Sequence, residues 1–124
     1  MSRLFCQDDG KRFVRARPQQ PPGSMNKTEQ EYALYLEIRK RAGEIVDYGF
    51  ECYKLRLANR TFYTPDFYVQ TAEGFLDFHE VKGFWEDDAR VKIKVAAEQY
   101  PQHGFVAIKK VAKKDGGGWK EEQF

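Results

Sequence analysis

Cysteine and histidine are scarce in this chain, two of each in 124 residues, and the four are scattered. Cys6 and Cys52 form no CxxC pair and cannot build a disulfide framework. A zinc site drawn from Cys6, Cys52, His79 and His103 would match no common ligand spacing, so two reduced thiols are expected. Long apolar runs are missing too, since no stretch approaches the roughly 20 residues that a membrane helix needs. The opening MSRLFCQDDGKR has no apolar segment of signal-peptide length before its charges begin. The expectation is a soluble, cytoplasmic protein with no membrane partner. No internal repeat is visible. Hydrophobic residues at 41% and aromatics at 15% are too plentiful for a disordered chain, and the length suits one domain with one core.

Net charge is only +2, but it is unevenly spread. Residues 1–24 carry five Lys/Arg against two acids, and residues 109–124 carry five against three. The middle holds eleven basic and fourteen acidic residues, a net of −3. Basic ends around an acidic centre suit phosphate contacts at the periphery and a cation within. Charged tails that merely keep a small protein in solution would look the same.

Three segments follow from composition: a basic Pro/Gln-rich arm over 1–24, a core over 25–111, and a Lys/Gly-rich tail over 112–124. The arm contains RARPQQPPGS, which can be neither regular helix nor central strand. A helix is expected from an Asn26 or Thr28 cap to about Ala42, with Gly43 as its stop. Glu29 falls on the same side as Ala33 and Leu36, and Glu31 and Glu37 lie toward the margins. Strand patterns run over Val46–Leu57, Phe62–Val69 and Leu76–Lys82, joined by short turns that imply an antiparallel meander. A second helix is expected over Asp88–Tyr100, then a strand over Phe105–Val111. The intervening helix makes that strand parallel to 76–82. The predicted fold is α/β, an α-β-β-β-α-β mixed sheet flanked by helices.

Strand alternation puts Leu76, Phe78, Glu80 and Lys82 on one face, with Asp77, His79 and Val81 on the other. If 62–69 and 76–82 pair as a hairpin, Asp66 lies near Glu80. Two carboxylates and an ammonium on a half-buried patch are costly as structure alone, because close carboxylates repel. A hard divalent cation with oxygen ligands removes that cost, and such a cation serves phosphodiester hydrolysis. Pro65 forces a bend where Asp66 would be re-aimed.

Thr64-Pro65-Asp66-Phe67 and, with thirteen residues between Asp66 and Glu80, Glu80-Val81-Lys82 resemble the motifs of the PD-(D/E)xK nuclease superfamily. The helix opening Asn26-Lys27-Thr28-Glu29 resembles its first motif, a helical glutamate. The resemblance spans residues 26–110 and is closest to small phage-type or transposase-associated members. It implies a restriction-endonuclease-like fold and a Mg²⁺- or Mn²⁺-dependent endonuclease acting on DNA. It further implies Asp66 and Glu80 as metal ligands, the Val81 carbonyl as a further ligand, Lys82 as catalytic lysine, and Glu29 binding metal through water. Glu31 or Glu37 could take the place of Glu29. The setting would be the cytoplasm of a bacterial cell or phage-infected host.

Plainer readings stand beside these. Glu80–Lys82 can be an ordinary ion pair, and Glu29 can simply complement the helix dipole. His79 is expected to pack rather than act as a base, and His103 receives no role. Trp85 either stacks on a base or is buried. Lys92 borders the apolar stripe of the second helix and could reach a phosphate. Arg12, Arg15, Arg17, Lys109, Lys110, Lys113 and Lys114 are expected backbone clamps. A 124-residue chain leaves little room for reading a long sequence. A homodimer or a partner protein would have to supply that, so structure-selective cutting or nicking is expected. The rivals are a catalytically silent nucleic-acid-binding module of the same fold, and a structural or partner-binding protein of a phage or mobile element.

Overall fold

The structure, a computed structural model, describes residues 25–82 and 87–124. The arm with Arg12, Arg15 and Arg17, and also Trp85, lie outside the described residues. The first helix, α1, spans Lys27–Arg41. Asn26 accepts from the Glu29 N–H at 2.8 Å while Glu29 Oε1 accepts from the Asn26 N–H at 2.9 Å. This reciprocal cap satisfies two donors that a helix start otherwise leaves open. Past the Ala42 cap the chain turns at Gly43, whose φ of 81° suits a residue with no Cβ.

The strands are β1 (Ile45–Phe50), β2 (Leu55–Ala58), β3 (Thr61–Tyr63), β4 (Phe67–Thr71) and β5 (Leu76–Val81). Helix α2 (Asp87–Gln99), β6 (Gly104–Lys110) and β7 (Trp119–Gln123) complete the order. Five strands form one mixed sheet in the order β1-β4-β5-β6-β7, and β2-β3 form a separate hairpin. Pairing is antiparallel for β1–β4, β4–β5 and β6–β7, and parallel for β5–β6 across α2. The expected α/β class, the antiparallel hairpin and the parallel crossover are all present.

Two expectations are corrected. Val46–Leu57 and Phe62–Val69 are not two long strands, for each breaks in the middle. Glu51 sits at φ 51°, a left-handed conformation that ends β1, and Pro65 has no N–H to continue a ladder. The intervening hairpin leaves the main sheet to join the α2 layer. The segment over 112–124 is more than a tail: a short 3-10 turn at Lys113–Asp115 leads into β7, an edge strand on β6. Its WKEEQ sequence has one apolar side chain and no alternation to betray it.

The sheet is covered on both sides. On one side Tyr32, Ala33 and Leu36 of α1 pack on Ile45, Tyr48, Phe67, Val69, Val81, Val106 and Ile108. On the other, Ile93 and Ala96 of α2 join Tyr53, Leu55, Leu57 and Tyr63 over Phe78 and Phe105. Cys52, buried among the second set, is half of a disulfide, which overturns the expectation of reduced thiols. The chain's other cysteine, Cys6, lies outside the described residues. Sequence spacing alone cannot report which sulfurs a fold brings together. No helix among the described residues is long and apolar enough to cross a membrane.

His79 is buried on the α1 side, its Nδ1 2.6 Å from the Tyr32 hydroxyl. Burial, aided by the Arg39 charge, pushes its pKa down to about 3. It is a neutral packing residue, as the sequence led us to expect. Because the unfolded chain takes up a proton below about pH 6.5 that the folded imidazole refuses, stability falls with pH from there down. In His79→Gln, which keeps an acceptor for Tyr32, that loss is absent. Urea unfolding at about pH 7.5 and pH 5 should show the wild type losing roughly 2 kcal/mol more than the variant.

Candidate active site

The site is built where β5 ends and the bend between β3 and β4 crosses it. Alternation along β5 turns Phe78 and Glu80 to the α2 side, and Lys82 follows on the same side just past the strand. Glu80 is only 7% exposed and Asp66, in the bend, 6%. Glu80 Oε1 accepts from the Tyr63 hydroxyl at 2.9 Å and from the Asp66 N–H at 3.2 Å. Asp66 Oδ2 accepts from the Val81 N–H at 2.9 Å. Each carboxylate therefore holds a main-chain N–H of the segment that carries the other acid. The Asp66 carbonyl accepts from the Glu51 N–H at 2.8 Å, which ties the bend to the end of β1. Lys82 Nζ lies 3.3 Å from Glu80 Oε2.

The electrostatics follow from this crowding. Burial and then the Glu80 charge raise the Asp66 carboxyl well above its usual range, and the Val81 N–H only partly offsets them. Burial also raises Glu80, against the pull of the Lys82 ammonium and its hydrogen bonds. At Lys82 desolvation works against the charge, but Glu80 and Asp66 outweigh it and raise its pKa. Burial and the Glu80 charge raise the Tyr63 hydroxyl far above the phenol range, so it remains a donor. Glu51 is raised by burial and by the charges of Glu29 and Glu80. Among the described residues, the charges of Glu29 and Glu80 thus act on Asp66 and Glu51, with the Lys82 ammonium beside them.

Oxygen donors with excess negative charge are the chemistry a hard divalent cation takes. Among the described residues no three His, Cys, Asp or Glu side chains form a ready ligand cluster. The fit therefore rests on fewer groups. Asp66 Oδ1 accepts no hydrogen bond among the described residues, although the side chain is buried. In an extended strand a residue's N–H and C=O leave the same edge, so the Val81 carbonyl faces the edge on which Asp66 sits. Two carboxylates and a main-chain carbonyl, completed by solvent or phosphate oxygens, match what Mg²⁺ accepts.

Asp66, Glu80 and Lys82 come together as the sequence suggested. Glu29, in the first turn of α1, is spent partly on its cap, yet its charge is felt at Asp66, Glu51 and Lys82. The alternatives to it belong elsewhere. Glu31 pairs with Lys110, and Glu37 accepts from Tyr48 and Arg41. Lys92 stands exposed on α2 with no described contact to the acids. Lys109, Lys113 and Lys114 are exposed around the β6–β7 connection, and the ammonium of Lys110 is taken by Glu31. His103 Nδ1 lies 3.0 Å from the Leu76 carbonyl, away from any zinc set with His79. Sequence reasoning missed Tyr63 and Glu51. The signals were present: a tyrosine three residues before Asp66, and one acid between Phe50 and Cys52 in an apolar run.

A buried acid with a raised pKa favours folding only while protonated, so its cost appears as pH rises through the folded value. Asp66→Asn keeps an acceptor for Val81 and removes the charge. Without divalent cations it should be more stable than wild type near pH 7–8, by on the order of 1–2 kcal/mol or roughly 4–10 °C in Tm. Thermal unfolding in EDTA across pH should show the advantage vanish toward about pH 4, where Asp is neutral in both states. No known protein family, no curated protein and no solved structure matches the chain, so the reading of this site rests on its own geometry.

Proposed function

We propose that this protein is a Mg²⁺- or Mn²⁺-dependent endonuclease that hydrolyses DNA phosphodiester bonds, with a restriction-endonuclease-like core of the PD-(D/E)xK type. The observation that carries the reading is the latch between the buried carboxylates of Asp66 and Glu80, with Lys82 Nζ 3.3 Å from Glu80. Asp66, Glu80 and the Val81 carbonyl would hold the cation, and Glu29 would reach it through water. When bound, the cation activates water and neutralises charge at the phosphoryl centre.

The chain's own groups divide the remaining work. Lys82 stays an ammonium at neutral pH because two carboxylates favour its charge. It is therefore suited to stabilising the charge that develops on the phosphate, rather than to taking a proton from water. Tyr63 fixes the Glu80 rotamer by donating to Oε1, which leaves Oε2 toward Lys82. The Glu51 N–H fixes the bend from which Asp66 projects. On this reading, structure-selective cutting or nicking is favoured over recognition of a long sequence.

Supercoiled plasmid and four-way-junction DNA, incubated with Mg²⁺ or Mn²⁺, should be cut to 5′-phosphate and 3′-hydroxyl ends, and EDTA or Asp66→Asn should abolish cutting. Lys82→Ala should lower the rate by roughly 10²–10³-fold, the usual loss of one charge-stabilising donor. Mg²⁺ should raise the Tm of the wild type and not that of Asp66→Asn. Intact DNA in every lane, at protein levels that bind it, would replace the nuclease reading with that of a silent DNA-binding module.

A further inference from the structure

Strand register extends the site beyond its acids. Val81 pairs with Ile108 in the parallel β5–β6 ladder, and the Lys82 N–H donates to the Ile108 carbonyl. The next rung therefore sets Lys82 beside Lys109. On the far side of β6, Lys109 pairs directly with Lys120 of β7. All three share the α2 side. Lys82 follows Phe78 and Glu80, and Lys109 follows Phe105 and Ala107. Lys120 precedes Glu122, which binds Arg90 of α2. Strands lie about 4.8 Å apart, so the three lysines make a row roughly 10 Å long, starting at the ammonium beside Glu80.

The outer two stand opposite each other, with the Glu122 charge near Lys120 as a partial counterweight. Like charges directly opposite on neighbouring strands weaken a sheet. Among the described residues neither Lys109 nor Lys120 has a carboxylate at ion-pair distance, and both are exposed. Glu122, the acid on that face, is held by Arg90 at 2.7 Å. Lys110 offers the contrast within the same strand: it points to the α1 side and is neutralised by Glu31. The Lys109–Lys120 repulsion is thus offset only in part among the described residues, on the side of the sheet that carries Glu80 and Lys82, one and two strands from the acids.

We propose that Lys109 and Lys120 continue from Lys82 as a phosphate-binding row, which carries the DNA backbone across β6 and β7 away from the acids. The choice of DNA as the polyanion rests on the nuclease reading; the row itself rests on register and unpaired charge. Phosphate oxygens between these ammonium groups remove the repulsion and release counterions, so the contacts act without regard to base sequence.

The test is fluorescence anisotropy with a short fluorescein-labelled DNA duplex in EDTA, repeated over a range of salt. Lys109→Gln/Lys120→Gln should bind about tenfold more weakly near physiological salt, and its slope of log K against log salt should flatten by about 2, the loss of two phosphate contacts. Lys120→Glu, which turns the repelling pair into an attracting one, should hold or raise Tm while weakening binding further, which separates lost contacts from unfolding. Wild-type affinity and slope in the double variant, or no binding of the duplex by the wild type, overturns the proposal. Because binding is read without cleavage, a wild type that binds through the row but never cuts DNA sinks the nuclease reading alone. A wild type that cuts, with the double variant binding normally, sinks the row alone.

Discussion

Two carboxylates buried against each other govern the centre of this molecule. Asp66 and Glu80 are less than a tenth exposed, so burial opposes the charge of both and the Glu80 charge further opposes that of Asp66, while hydrogen bonds hold them. The backbone has been arranged to do the holding. The bend at Pro65 frees the Asp66 N–H from any ladder and points it at Glu80, and the last residue of β5 gives its N–H to Asp66. Tyr63 stands at the end of β3 so that its hydroxyl reaches the same oxygen of Glu80. The β2–β3 hairpin, which looks like an excursion from the sheet, delivers that hydroxyl. Even so, both acids remain raised in pKa, chiefly by burial, so the latch offsets the cost of charge there without removing it. A site left in that condition favours whatever brings positive charge to it.

How much of this could be read in the sequence depends on the range of the interaction behind each feature. Features set by neighbours in the chain were legible. An Asn26 or Thr28 cap before an acidic first turn marks the start of α1, although the reciprocal Asn26–Glu29 pair emerges only in the structure, and the alternation from Leu76 to Lys82 has period 2. From these, the two helices, the hairpin of β4 and β5, the crossover to β6 and the grouping of Asp66, Glu80 and Lys82 all followed. Features set by tertiary contacts were not. The split of 46–57 depends on a left-handed Glu51 and on β2 having α2 to pack against. Strand β7 gains its place from Trp119 against Tyr32 and from pairing with β6, and its own residues are nearly all polar. Cys52 joins a disulfide that no spacing rule announced.

Glutamates on α1 show the same limit more sharply. Helical geometry made Glu29, Glu31 and Glu37 comparable candidates, since each lies on or beside the packing face. What separates them is the partner each meets. Lys110 at the start of the β6–β7 connection takes Glu31, and Tyr48 with Arg41 takes Glu37. Only Glu29 keeps its charge within reach of Asp66 and Lys82. Arg41 is an i,i+4 neighbour of Glu37, but Lys110 and Tyr48 lie 79 and 11 positions from the acids they take, which a helical wheel cannot see.

Register is the remaining constraint, and β5 shows why it cannot slip. His79 and Glu80 are adjacent in the chain but face opposite layers. His79 is dry and neutral against Tyr32, while Glu80 is held among Tyr63, Asp66 and Lys82. A slip of one residue would exchange them, because side chains alternate. It would drive the Glu80 carboxylate among Tyr32, Phe67 and Val106, where burial of an unpaired charge costs several kcal/mol or more. It would also bring the imidazole to the acids and separate Lys82 from Lys109. The strand is pinned from both sides, by Phe67 to Gln70 of β4 and by Gly104 to Ile108 of β6. Gly104 tightens the second of these. A Cβ there would lie 2.6 Å from Asp77 Oδ1, so a larger residue would turn aside the carboxylate that accepts from the Gly104 N–H at 3.2 Å. The same pairings that place the acids thus fix the row of lysines, and neither can be moved without the other.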